Sequence, residues 1–264
     1  MNISERAPTV GGKPPKGRGM ATPARNHSIW VLIVGSAAAA LTAYGSTGSM
    51  AAADSAARAP SPKDFVRRVD NPWFPLTPGT TLVYRGVRDG KPARDVFTVG
   101  RATKTIQGVR CTIVHDSLFL GGKLAERTTD WYAQDRRGNV WYFGESTAEL
   151  DAAGRVTSTE GSWAAGRDGA VAGIYMAGTA KVGRAYSQEY YKGHAQDHYA
   201  AISLHASVRV PYVSSRQALL TKEWTPLEPG VIDHKYYVRG IGTVKEVTVK
   251  GPLERADLVS VRRR

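Results

Sequence analysis

Thr80-Thr-Leu-Val-Tyr-Arg-Gly86, Asp89-Gly90 and Asp95-Val-Phe-Thr-Val-Gly100 decide the fold. Two runs rich in β-branched and aromatic residues flank an Asp-Gly pair, and such a pair tolerates the positive φ angles of a tight hairpin turn. The same grammar repeats downstream. Residues 103–106 lead into a turn at Gln107-Gly108, residues 109–115 alternate apolar and polar side chains, and Gly121-Gly122 turns again. Residues 124–134 read as a strand carrying Trp131 and Tyr132. Arg136-Arg-Gly-Asn139 turns, and Val140-Trp-Tyr-Phe143 pairs back. Gly154 marks a hairpin between 147–150 and 155–159. Strands resume at 184–191, 198–210, 214–224, 234–239, 243–250 and 253–261. Turns at such short, regular spacing predict an antiparallel meander. The expected fold is all-β: one domain over 69–264, built as a curved antiparallel sheet that forms a half-open barrel or barrel-like shape.

Two stretches depart from this pattern. Residues 160–181 are Gly/Ala-rich, with Trp163, Ile174, Tyr175 and Met176 as isolated anchors; they predict one long loop, a candidate lid or rim. Asp70-Asn-Pro-Trp-Phe-Pro-Leu-Thr-Pro-Gly79 carries three prolines and cannot be helical. Its Trp73 and Phe74 are expected to plug one end of the core.

Upstream, Arg25 precedes Ser28-Ile-Trp-Val-Leu-Ile-Val-Gly-Ser36, an alanine run and Ala51-Ala-Ala53, with no acidic residue before Asp54. A positive charge, a short apolar core and a small-x-small site make a secretory leader. The core, 29–43, is short for a membrane span. The expectation is export to the periplasm or beyond with cleavage after Ala53; an uncleaved anchor over 29–45 is the minority reading. Residues 1–28 are basic and Gly/Pro-rich, with the composition of a disordered segment, and Met20 is a candidate start. Residues 54–68 read as a linker. No Cys follows the apolar core, which excludes lipid attachment at the cleavage site.

Composition narrows the function. The chain of 264 residues carries formal charge +13 and a single cysteine. Without the leader's five Lys/Arg and one Glu, about +9 remains. One cysteine excludes an intrachain disulfide, and Cys111 shares a strand face with Val109 and Ile113, so a buried structural thiol is expected. The positive charges are scattered and accompany no nucleic-acid motif, which favours an anionic envelope polymer as the macromolecular partner.

The blocks Trp73-Phe-Pro-Leu-x-Pro-Gly-Thr-Thr-x-Val-Tyr84, Asp135-x-x-Gly-Asn-Val-Trp-Tyr-Phe-Gly-Glu145 and Lys235-Tyr-Tyr-Val-Arg-Gly-Ile-Gly-Thr-Val-Lys245 resemble an exported bacterial family of unassigned activity, and their order is similar to TapB-like domains of unknown function. The resemblance covers most of 69–261. It implies a curved antiparallel sheet, a half-open barrel like that of lipoprotein carriers, and supplies no catalytic residues. Independently of it, Gly240 and Gly242 between two β runs suit a bulge, and Tyr236 and Tyr237 point to opposite faces.

Candidate chemistry is sparse. His194-Ala-Gln-Asp-His198 is the weak metal alternative: His194 and His198 share a face as a helix but lie about 13 Å apart as a strand. Carboxylates recur near aromatics at Glu126, Asp130, Asp135, Glu145, Glu160, Glu189 and Asp197. Asp135, Glu145 and Glu189 are the candidates for a paired-carboxylate hydrolase of envelope glycan or ester. No serine elbow, phosphate loop or dinucleotide fingerprint occurs, and no cofactor is expected. The leading expectation is a non-catalytic binder of an apolar or amphipathic small molecule or lipid, lined by Trp131, Trp141, Trp163, Tyr175 and Tyr237. A structural envelope protein is the further alternative.

Overall fold

Among residues 61–263, which this computed structural model describes, the chain forms fifteen strands, a 3-10 turn at Pro62–Asp64 and no α-helix. The leader, its cleavage site and residues 54–60 of the linker lie outside these residues. The first five strands are the expected meander: β1 (Thr80–Arg88), β2 (Lys91–Ile106), β3 (Val109–Leu120), β4 (Lys123–Gln134) and β5 (Val140–Leu150). Asp89 and Gly90, at φ 51° and 69°, make the first turn. Gln107 and Gly108, at 49° and 77°, make the second, both in the left-handed region that Asp-Gly and Gln-Gly pairs were read to occupy. Five short strands follow: β6 (Val156–Ser158), β7 (Trp163–Ala164), β8 (Val171–Met176), β9 (Ala185–Ser187) and β10 (Glu189–Tyr190). A second meander completes the chain: β11 (His198–Arg209), β12 (Ser214–Trp224), β13 (Ile232–Val238), β14 (Gly242–Lys250) and β15 (Arg255–Arg263).

Every strand pairing is antiparallel, and β15 returns to β1, so the sheet curls into a nearly closed barrel. One segment stitches the seam. β9 pairs with β11 at one sheet edge, and two residues later β10 pairs with β8 at the other. Gln188, between them, donates its backbone N–H to Asp197 O at 2.7 Å. Gly173 on β8 is required there, because a Cβ would sit 2.5 Å from Ser187 O. Residues 160–181, read as one loop, therefore contain two strands. β8 pairs with β5, and its Gly and Ala residues are what let the closing segment cross at backbone distance.

The 70–79 segment closes one barrel end, as its aromatics predicted. Trp73 and Phe74 are buried; Phe74 meets Phe97, Tyr132 and Tyr175, and the Arg239 guanidinium covers Trp73. Asn71 fixes the plug: its Nδ2 donates to Gly138 O and Ala177 O, and its Oδ1 accepts from Trp73 N–H. The opposite end, ringed by the turns after β1, β3 and β5, carries no such plug among the described residues.

Cys111 is fully buried on the outer wall, its thiol pushed up to about 12 by desolvation, an inert structural thiol as expected. The return motif also behaves as read: Gly240 and Gly242 have φ of 74° and 103°, the register shifts at Tyr236/Tyr237, and Tyr237 is buried while Tyr236 is half-buried.

Candidate functional site

Alternation assigns the barrel's interior. On β4, Glu126, Thr128, Asp130, Tyr132 and Gln134 are all buried and face inward. Their cross-strand neighbours carry the same face around the sheet: Asp116 opposite Thr128, Asp130 opposite Glu145, Tyr132 opposite Tyr142. Tyr142 and Glu145 are three residues apart yet both point inward. A bulge at Gly144, φ 124°, absorbs the extra residue, and a Cβ there would lie 2.3 Å from Trp163 O.

This half of the interior gathers carboxyls. Asp95, Asp116, Asp130 and Glu145 are buried on β2 to β5, and Glu189 and Asp197 join them from the seam. Tyr142 donates its hydroxyl to Asp130 Oδ1 at 2.7 Å. Both carboxyl oxygens of Glu145 lack a hydrogen-bond partner, whereas Asp95 lies against the Asp116 carboxyl and Glu189 against the Trp163 indole. Burial, reinforced by neighbouring carboxylates, pushes Asp95, Asp130, Glu145 and Asp197 well above the usual carboxylate range. Glu189 is pushed up to about 8 by burial, with the Trp163 indole N–H beside it and Lys235 opposing. Burial thus favours the protonated form of each of these groups.

The other half is built around Lys235 on β13. Its Nζ lies 2.8 Å from Glu223 Oε2 and 3.9 Å from Glu246 Oε2. Glu223 Oε1 accepts from Thr221 Oγ1 at 2.9 Å and from the Tyr237 hydroxyl at 3.1 Å. Burial opposes the lysine's charge, but Glu223 and Glu246 hold it well above the usual lysine range.

The unplugged end opens into a pocket of about 340 Å³. Leu118, Leu120, Leu124 and Leu150 line it with apolar side chains, Lys91 and Lys123 with cations, Asp89, Glu149 and Asp151 with carboxylates, and the buried Arg88 and Glu126 with an ion pair. Arg88 is only 2% exposed. Its Nη1 stands 4.0 Å from Glu126 and its Nε 3.7 Å from Glu254, ion-pair distances too long for hydrogen bonds, and Nη1 has no hydrogen-bond acceptor.

The residues singled out from sequence scatter. Asp135 caps a turn: its carboxylate accepts from Arg137 N–H, Asn139 N–H, Asn139 Nδ2 and Trp141 Nε1. It is therefore no partner for Glu145 or Glu189, which the structure does bring into one buried cluster. Trp141 is held by Asp135 and Tyr237 by Glu223, while Tyr175 packs among Phe74, Tyr132 and Tyr142. Trp131 and Trp163 border a second, outer pocket. The histidines do not converge: His194 pairs with Glu160 at 3.0 Å and stacks on Tyr191, whereas His198 donates to Gln196 O and stacks on Trp224. Among the described residues no group of three His, Cys, Asp or Glu is arranged to hold a metal ion. Sequence reasoning passed over Arg88, Asp95, Asp116 and Lys235. The available signal was phase: Asp95 keeps step with Phe97 and Val99, and Lys235 with Tyr237, so each charge falls on the core face.

No family model and no curated protein sequence matches the chain. Among solved structures it is similar to a protein described as exported, with a YmcC-like fold, from Bacteroides fragilis. That likeness has 16% identity, covers 72% of this chain and 99% of that one, and has a TM-score of 0.41. It is also similar to a protein described as a lipoprotein from Parabacteroides distasonis, at 9% identity, 72% and 98% coverage and a TM-score of 0.39.

Proposed function

We propose that the protein is an exported, non-catalytic binding module that holds an amphipathic molecule with an anionic head at the open end of its barrel. The observation that carries this reading is the leucine-walled pocket over a buried arginine with an unused N–H. An apolar tail along Leu118, Leu120, Leu124 and Leu150 removes hydrocarbon from water, at about 25 cal/mol per Å². A carboxylate or phosphate on Arg88 supplies the acceptor that Glu126 and Glu254 stand too far away to provide. The pocket volume falls within the range of small-molecule sites. Export rests on the leader sequence, and the resemblance to TapB-like domains belongs to the same proposal. A carboxylate-pair hydrolase is disfavoured on chemical grounds. Glu145 and Glu189 are each about 1% exposed, and a glycosidase acid must reach its substrate.

Titration calorimetry with decanoate and with decyltrimethylammonium tests the reading. Decanoate is expected to bind and the cation to be rejected, with Arg88→Met weakening decanoate by about tenfold. Leu124→Gln, at the pocket wall, serves as a second variant independent of the Arg88 ion pairs and is expected to weaken decanoate too. Equal binding of both probes, or decanoate binding indifferent to both variants, overturns it.

A further inference from the structure

The barrel segregates charge. Among the described residues twelve acidic side chains are buried, but only Arg88 and Lys235 among the basic ones. The outer wall is therefore far more positive than the formal charge of +13 conveys. Attraction to polyanions follows from that alone, but one place on the wall is built to a finer scale.

Two turns meet there. The Gln107-Gly108 turn between β2 and β3 packs against the hairpin that links β7 to β8, where a Cβ on Gly166 would come 2.4 Å from Gln107 Nε2. Three backbone hydrogen bonds hold the hairpin: Gly166 N–H to Ala170 O, Arg167 N–H to Ala164 O, and Ala170 N–H to Arg167 O. Asp168, at its tip, has φ of 50°, a left-handed conformation that a non-glycine residue adopts at some cost. The conformation so fixed sets Arg167 beside Lys104 on β2. Lys104 in turn lies with its Nζ 3.4 Å from the centre of the Trp131 ring.

Partial burial and the Arg167 charge both hold the Lys104 ammonium below the usual lysine range, so the two cations work against each other. Neither forms an ion pair among the described residues. Between them lies a pocket of about 340 Å³, floored by Trp131, with Ser146 and Tyr191 on its rim. Asp168 and Glu145 also border it; burial favours the neutral form of Glu145, and Asp168 would repel an anion on its own side, which leaves the Lys104 side for the charge.

We propose that Lys104 and Arg167 bind the carboxylate or phosphate group of an anionic polysaccharide, whose ring hydroxyls meet Ser146 and Tyr191. An anion between the cations relieves their mutual repulsion and gains charge-assisted hydrogen bonds from both. A saccharide suits the site better than a membrane surface. The large apolar side chains exposed elsewhere on the barrel, such as Val182, Tyr212 and Leu253, are absent from this pocket, so nothing in it would enter a bilayer. The site lies on the outer wall, separate from the Arg88 pocket, and stands or falls independently of it.

Tryptophan fluorescence of the full chain, with a Trp131→Phe variant to assign the signal to the pocket floor, is titrated with an oligogalacturonate and with a phosphorylated oligosaccharide, which distinguishes the two anionic groups. Binding of at least one, weakened about tenfold by Lys104→Ala and by Arg167→Ala and unchanged by Arg216→Ala on β12, is the expected result. Arg167→Lys is expected to retain most of the affinity. An equal loss in all three alanine variants would mean diffuse attraction and overturns the site, as does the absence of binding by either saccharide. Association with phosphatidylglycerol vesicles that depends on Lys104 and Arg167, with both saccharides silent, overturns it in favour of a membrane partner.

Discussion

On β12 to β14 a lysine stands between carboxylates. On β2 to β5 the carboxyls share the interior with no lysine, and the buried base nearest to them, Arg88, sits at the mouth. The two halves solve one problem differently. Burying an ionised carboxylate costs several kcal/mol unless it is paired. The Lys235 half keeps one close ion pair, Lys235 with Glu223, to which Thr221 and Tyr237 donate hydrogen bonds, while burial lifts the more distant Glu246 above the usual carboxylate range. In the Asp95–Glu145 half burial favours the protonated, uncharged form, lifting these carboxyls well above the usual range. The first arrangement depends on one residue, the second on pH.

The sharpest way to break the comparison is to remove the lysine. Lys235→Met leaves Glu223 and Glu246 buried without their cation, and a loss of about 3–5 kcal/mol in denaturant unfolding is expected. Lys235→Met combined with Glu223→Gln should recover part of that loss. A single-variant loss below about 1 kcal/mol would show that the pair is already neutral. Next in size is the seam, where the two halves meet. Gly173→Ala drives a Cβ against Ser187 O, and about 2 kcal/mol of destabilisation is expected, together with faster amide exchange at Glu189 and Gln188 than at β13. Uniform exchange across both halves would show that the seam does not separate them.

The pH dependence is the most diagnostic test. An acid whose folded pKa is raised stabilises fully below its unfolded value and loses that contribution as pH rises through the folded one. For Glu189 the window runs from the ordinary range near 4.5 up to about 8. Stability should therefore fall as pH rises from about 5 to about 9. Glu145→Gln and Glu189→Gln should be nearly neutral at the acidic end and increasingly stabilising, relative to the wild type, towards the alkaline end. A wild-type melting temperature that rises across this interval, or a variant advantage that fails to grow with pH, contradicts protonated interior acids.

Much of the fold could be read along the chain because turn chemistry is local. Asp89-Gly90, Gln107-Gly108, Gly121-Gly122 and Gly154 all mark turns in the structure, since left-handed φ depends on the residue itself rather than on distant partners. The plug at Trp73-Phe74 was legible for the same reason: prolines forbid helix wherever they stand. The 160–181 stretch was not. Its strands exist only because β5 offers an edge and the 185–190 segment needs glycine to cross β8 closely, and neither partner is near in sequence.

The site shows the same division more severely. Glu145 and Glu189 were named from sequence and do share a cluster, but Asp135, named with them, caps its own turn four residues before Asn139. Spacing gave no way to tell these apart, because convergence across a barrel is set by register and by the Gly144 bulge. The sequence by itself determined the all-β class, the hairpin order, the plug and the structural cysteine, all of which rest on backbone propensity and alternation. Only the tertiary structure decided where the charges go. Twelve acids are buried against two bases, and Arg88 comes to lie under a leucine wall, because curling the sheet into a barrel is what converts an alternating strand into an inside and an outside.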